Sequence, residues 1–300
     1  MDTATFFVPH ISPSDLAARM GRADSPLLLD VRRQGKFFES LRMLAGAIRC
    51  APEHVAAFGR SQPPREIVVY CVYGHNISEE AVAELRAAGW NAYALAGGIE
   101  GGQDGVDTPQ DIATWRSSAF PAMKKRPDWG VPCEQPSRWI TRERPKIDRI
   151  ACPWLIRRFI DPRAEFFYVP TAEVFSEAAR LKAVAYDMPG APVSHEGEWC
   201  SFDVLLRAFE IEDAAVDRLA CIVRGADTDR LGLEPQCAGL LAFSTGLSQL
   251  HADDHAMLEA AMPMYDALYA WCAGEAMAVR KGTPAETHDW KLEAMTGATS

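Results

Sequence analysis

Apolar positions in this chain gather into short runs broken by polar, glycine or proline joints. In the first hundred residues two kinds of run alternate. Leu27-Leu28-Leu29-Asp30-Val31, Ile67-Val68-Val69-Tyr70 and Asn91-Ala92-Tyr93-Ala94-Leu95 are nearly continuous apolar stretches, the pattern of strands buried on both faces. Phe6-Phe7-Val8 and Ala45-Gly46-Ala47-Ile48 predict two shorter extended pieces. Helices are predicted between them. One follows Ser12, with Ser12 as N-cap, Pro13 at the first helical position and Asp15 in the first turn. Others cover 53–58 and 77–85. Strands alternating with helices predict a parallel sheet with helices on both faces.

From about residue 112 to 138 the pattern weakens into segments rich in proline, glycine and charge, read as a linker. The chain restarts with a strand at 139–142 and a helix N-capped by Asp148, with Pro153 near its first turn. A strand at 166–170, a Thr171-capped helix to Leu181 and a strand at 183–187 follow. Beyond that the spacing is helical: 202–206 capped by Ser201, then 214–225, 236–250 and 253–272. Leu258, Met262, Tyr265 and Tyr269 form a stripe expected to be core. The division is therefore an α/β first domain (1–111), a linker (112–138), an α-rich second domain with a small β element (139–274) and a polar tail (275–300).

Composition narrows the function classes. A chain of 300 residues with 48% hydrophobic and 24% charged residues is long enough for two globular domains. A net charge of −10 argues against non-specific nucleic-acid binding. The basic triplet Lys124-Lys125-Arg126 is expected to be a solvated turn. No apolar run has membrane-spanning length, and the first residues lack the basic and apolar regions of a secretory signal. The eight cysteines contain no C-x-x-C pair, and their scatter fits reduced thiols in a cytoplasmic protein.

Cys71 carries the clearest chemistry. It ends a buried strand and precedes Val72-Tyr73-Gly74-His75-Asn76 and then a helix. A thiol there meets loop N–H groups and the positive end of a helix dipole, which favours thiolate and suits an anion. Ligands of α/β sheets also bind beyond the carboxyl ends of strands. The loop amides of Tyr73, Gly74, His75 and Asn76 are the candidate anion cradle, with Asp30 and Arg32 as supporting residues near a neighbouring strand end.

Leu28-Leu29-Asp30-Val31-Arg32, Gly46-Ala47-Ile48, Val68-Val69-Tyr70-Cys71 with its loop, and Leu95-Ala96-Gly97-Gly98-Ile99 occur in an order that resembles a rhodanese-like domain. The resemblance implies that Cys71 takes a sulfane sulfur from a small donor, holds it as a persulfide and passes it to a thiol or cyanide-like acceptor, with no cofactor. Two departures stand out. Many rhodanese loops place a cation five residues after the cysteine, where this chain has Asn76, so His75 is the loop's candidate cation. Phosphatases of related fold need an arginine six residues after the cysteine, where this chain has Ile77, so phosphate-ester hydrolysis is disfavoured.

In the second half, Lys146, Asp148, Arg149 and Arg157 surround a predicted helix N-terminus, a candidate oxyanion site. Metal-ligand residue types also recur: Asp187, His195, Glu196, Cys200, Asp203, Asp227, Asp229, His251 and His255. The expected set for a divalent metal is His195 with Asp227 and His255. The stretches from Asp148 to Ile160, Cys200-Ser201-Phe202-Asp203, 222–228 and 265–272 resemble the C-terminal domain of ChrB-type chromate-resistance proteins. That resemblance implies a role in chromate resistance or its sensing, with chromate or another oxyanion as a candidate ligand. The leading expectation is thus a sulfurtransferase joined to a chromate-resistance domain. The alternative is a sensor without turnover, in which the first domain is a redox or docking module. Neither reading specifies the oligomeric state.

Overall fold

The structure, a computed structural model, describes residues 8–118, 121–131 and 135–281. Phe6 and Phe7, expected in the first strand, lie outside them, as does Cys133. The first domain runs β1 (His10–Ile11), α1 (Pro13–Ala17), β2 (Leu27–Asp30), α2 (Gln34–Glu39), β3 (Arg42–Leu44), β4 (Ala47–Arg49), α3 (Val55–Ser61), β5 (Glu66–Tyr70), α4 (Asn76–Ala87), β6 (Asn91–Leu95), α5 (Pro109–Ser117) and β7 (Ala122–Lys124). Ser12 caps α1 as predicted, its hydroxyl accepting the Asp15 N–H at 3.1 Å.

The main sheet is five-stranded and wholly parallel, in the order β1-β6-β5-β2-β4. Both of its faces are covered, which is why its strands read as unbroken apolar runs. Leu27, Leu29, Ile67, Val69 and Ala94 pack with Val55 of α3 and Val82 and Leu85 of α4. Leu28, Val68, Tyr70 and Leu95 face the other way, into a larger core shared with the second domain.

The second domain contains β8 (Arg138–Arg142), α6 (Asp148–Leu155), β9 (Glu165–Val169), α7 (Val174–Leu181), β10 (Val184–Ala185), α8 (Ser201–Phe209), α9 (Ala214–Asp227), α10 (Cys237–Leu250) and α11 (Asp254–Lys281). Its small sheet, β10-β8-β9, is also parallel. The stripe Leu258, Met262, Tyr265 and Tyr269 is buried in the shared core.

Several sequence expectations change here. Asp148 is the first residue of α6, not its cap, and Pro153 lies inside that helix. A proline there removes the N–H that would meet the Arg149 carbonyl; the Tyr186 hydroxyl donates to that carbonyl instead, at 3.2 Å. Ser201 lies inside α8, whose cap is Cys200. The expected linker is built into the fold. It starts within α5, and β7 pairs antiparallel with β3. Trp129 packs on Trp139 and Phe209. The basic triplet is bound rather than solvated: Lys124 pairs with Glu210 at 2.8 Å, Lys125 lies over the Phe37 ring and Arg126 over Trp129. Finally, α11 runs past the expected boundary at 274 to Lys281.

The two domains meet closely. The Gly46 N–H donates to the Phe159 carbonyl at 2.7 Å. Gly21 has φ +74°, and a Cβ there would stand 2.3 Å from the Phe159 ring. Phe159 sits in the π-helical turn Ile156–Ile160 that continues α6.

Candidate functional site

Cys71 follows β5 and stands in the turn before α4. Its Sγ accepts the Gly74 N–H at 3.3 Å. Ser78 Oγ lies 3.3 Å from the sulfur and 3.0 Å from the His75 carbonyl, so its one hydrogen can serve a thiolate or that carbonyl. The tightness of the turn requires glycine. Gly74 has φ +81°, and a Cβ would fall within 2.8 Å of Leu95 O, Gly97 N and Gly98 N. The Gly97-Gly98 segment after β6 latches the turn from its far side, with Ile99 N–H donating to Cys71 O and Glu100 N–H to Val72 O.

Cys71 is 6% exposed, at the wall of a cavity of about 260 Å³. Tyr73, His75, Asn76, Arg33, Lys36 and Gln103 line the cavity. Of the expected cradle, only the Gly74 N–H bonds to the sulfur. Asn76 begins α4, and His75 is drawn toward Asp107, Nε2 to Oδ2 at 3.0 Å, where Gln103 N–H also donates. The cations on this cavity come from the segment after β2. Lys36 pairs with Glu39, and the exposed Arg33 lines the same cavity. Sequence reading missed Ser78, Arg33, Lys36 and Gln103. Ser78 carried a faint signal, a polar residue on the buried face of an amphipathic helix; the others come together only through topology.

Asp30 and Arg32 form a fully buried pair, Oδ2 to Nη2 at 2.6 Å. The Tyr70 hydroxyl donates to Asp30 at 3.0 Å, and Arg32 donates to the Arg42 carbonyl. Arg32 also lines the cavity. The pair joins the ends of β2, β5 and β3 beneath the site.

In the second domain, the four residues of the expected oxyanion site do not converge. Lys146 is exposed. Arg157 pairs with Glu259 at 2.6 Å, and Arg149 with Asp187 at 3.3 Å. Asp148, fully buried, caps a different helix: its carboxylate accepts the Ser201 and Phe202 N–H groups at the start of α8, at 2.7 and 3.0 Å. His195 Nε2 faces three carboxylates, those of Asp148 at 3.5 Å, Asp187 at 3.3 Å and Asp227 at 3.2 Å. Asp148 thus takes the place expected for His255, which instead stacks edge-on against Tyr168. Of the remaining metal-type residues, Glu196 pairs with Arg207 and Asp203 with Arg224.

Burial, aided by the charges of Asp227 and Asp187, pushes the Asp148 carboxyl up to about 6. The carboxylates of Asp148, Asp187 and Asp227 push His195 up to about 12. Burial would raise Asp187 too, but His195, Arg149 and Arg142 hold it below the usual range. Burial drives the Cys152 and Cys200 thiols upward, so both stay protonated and inert.

The rhodanese-like domain model matches residues 12–104, and the model of the ChrB C-terminal domain matches residues 139–272. The chain therefore carries a rhodanese-like domain followed by a ChrB C-terminal domain. Among curated proteins it is similar to Protein ChrB of Cupriavidus metallidurans, 33% identical over 136 residues, 45% of this chain and 40% of that protein. The chain thus spans about two fifths of that relative's length. Among solved structures it is similar to a rhodanese homologue from Thermus thermophilus, with 25% identity, 31% of this chain and 98% of the other covered, and a TM-score of 0.26. It is also similar to a rhodanese-like domain from Anabaena sp., with 22% identity, 42% and 86% covered, and a TM-score of 0.30. No helix among the described residues is long and apolar enough to cross a membrane.

Proposed function

We propose that Cys71 is the nucleophile of a sulfur-transfer reaction, and that this chemistry serves a role of the ChrB-type half in chromate resistance. One observation carries the reading: the Cys71 sulfur accepts the Gly74 N–H in the turn before α4 and borders a cavity lined by Arg33 and Lys36. A thiolate held there attacks the transferable sulfur of a small anionic donor, the sulfane sulfur of thiosulfate or the thiol sulfur of 3-mercaptopyruvate. A Cys71 S–S bond forms, the donor's S–S or C–S bond breaks, and the bonding pair leaves with the donor remnant. An acceptor thiolate or cyanide then attacks the outer sulfur and returns Cys71 as thiolate. The Gly74 N–H and Ser78 hydroxyl lie where they would hold negative charge on Cys71 in the resting and final states.

Incubation with thiosulfate or 3-mercaptopyruvate, followed by intact-mass spectrometry, tests this. The expected result is a gain of one sulfur per chain, lost on adding cyanide or a thiol. No gain with either donor would sink the sulfur-transfer reading and leave the domain as a redox or docking module.

Arg33 supplies the cation that the loop itself lacks. Arg33→Ala is expected to raise KM for thiosulfate about two- to fivefold, the range for one exposed charge, with kcat little changed. The effect should fade as ionic strength rises. Steady-state kinetics at two salt concentrations would show it, and an unchanged KM at low salt would remove Arg33 from donor recognition.

A further inference from the structure

We propose that the second domain binds a divalent transition-metal cation through Asp148, His195 and Asp227, with coordination positions left open to solvent. The ligand atoms of these three residues all lie within 4.8 Å of one another. They come from separate parts of the chain: the first residue of α6, the loop before α8 and the last residue of α9.

The arrangement is poorly explained as a set of ion pairs. His195 Nε2 carries at most one hydrogen, yet three carboxylate oxygens face it at 3.2 to 3.5 Å. Those separations exceed the roughly 2.7–2.9 Å of a charge-assisted hydrogen bond. The separations of His195 from Asp148 and Asp227, 3.5 and 3.2 Å, are close to the edge, about 3.3 Å, of a tetrahedron whose metal–ligand bonds are about 2.0–2.1 Å. Both carboxylate ligands are also held from behind, as metal ligands generally are. The N–H groups of Ser201 and Phe202 fix Asp148, and Oδ1 of Asp227 faces the Asp148 N–H at 3.4 Å, which leaves Oδ2 for the centre.

Asp187 stands beside the three ligands rather than among them. Its carboxylate is taken up by Arg142, Arg149 and Ser201. Metal binding displaces the His195 proton, and two carboxylates with the resulting neutral imidazole balance the charge of a divalent ion. One nitrogen with two oxygens favours Mn²⁺, Fe²⁺ or Zn²⁺ over the soft Cu⁺ and the larger all-oxygen Ca²⁺. The His195 side chain is 39% exposed, so the open positions face solvent on its side. Arg142 and Arg149, held at Asp187, place positive charge next to whatever occupies them.

The proposal does not depend on Cys71. The full chain, stripped with a chelator and dialysed against Mn²⁺ or Zn²⁺, is expected to retain one ion per chain by elemental analysis and to melt several degrees higher. His195→Gln and Asp227→Asn should each weaken retention tenfold or more. Both residues are partly exposed, and the amide oxygen introduced by Asp227→Asn can still accept the Asp148 N–H, so the fold should survive; far-UV circular dichroism checks this. Lys146→Ala, an exposed change beside the site, should bind like wild type. Failure of wild type to retain either metal, or equal retention by the two ligand variants, would overturn the proposal.

Discussion

Cys71→Ser is expected to lower sulfur-transfer turnover by about four orders of magnitude or more, the scale on which removing a nucleophile acts, while leaving stability nearly unchanged. Serine is close to cysteine in size, and its oxygen can still accept the Gly74 N–H that now meets the sulfur at 3.3 Å. The buried packing of Cys71 against the α4 face is therefore largely kept. What disappears is the polarisable thiolate that attacks a sulfane sulfur. Turnover with thiosulfate and cyanide, read beside a urea unfolding curve, separates the two effects. A variant that keeps wild-type turnover would move the reaction to another residue. One that loses activity only by unfolding would show Cys71 as a packing residue.

Asp30→Ala should carry the largest stability cost in the first domain, about 3–5 kcal/mol, because it leaves a buried guanidinium without its counter-charge. Arg32 is 1% exposed and Asp30 is fully buried. Truncation also removes the acceptor of the Tyr70 hydroxyl. The urea midpoint should fall with the slope unchanged. Removing both charges, as in Asp30→Leu with Arg32→Met, should cost less than the single change, since no buried charge is then stranded. A single variant as stable as wild type would show that water reaches Arg32.

The Cys71 site is legible in the sequence only in part. The strand–Cys–turn–helix order places the thiol correctly, because a buried apolar run followed by a glycine turn and an amphipathic helix has few other ways to fold. The rim is not legible. Arg33 and Lys36 lie almost forty residues before Cys71 in the chain, and they reach the cavity because β2 pairs with β5. The second-domain cluster shows the same divide more sharply. Residue type singles out His195 and Asp227, but it groups His255 with them, and local pattern makes Asp148 the cap of its own helix. The Asp148 carboxylate instead meets the N-terminus of α8, a contact across 53 residues that no local pattern encodes.

Strand runs and helical stripes depend on neighbours within a turn or two, so most of the elements and their kinds can be read directly from the chain. The burial of both faces of the first sheet is readable too, through Leu28 and Val68 as much as Leu29 and Val69. What covers those faces emerges only when the chain is folded. One face takes α3 and α4, whereas the other shares a core with α6 and its π-helical turn from the second domain. The segment expected as a linker is part of that junction, because β7 satisfies its backbone on β3 while Trp129 is drawn in beside Trp139 and Phe209. Burial of apolar area does not depend on which partner supplies it, so an apolar run records that it is buried without naming its partner.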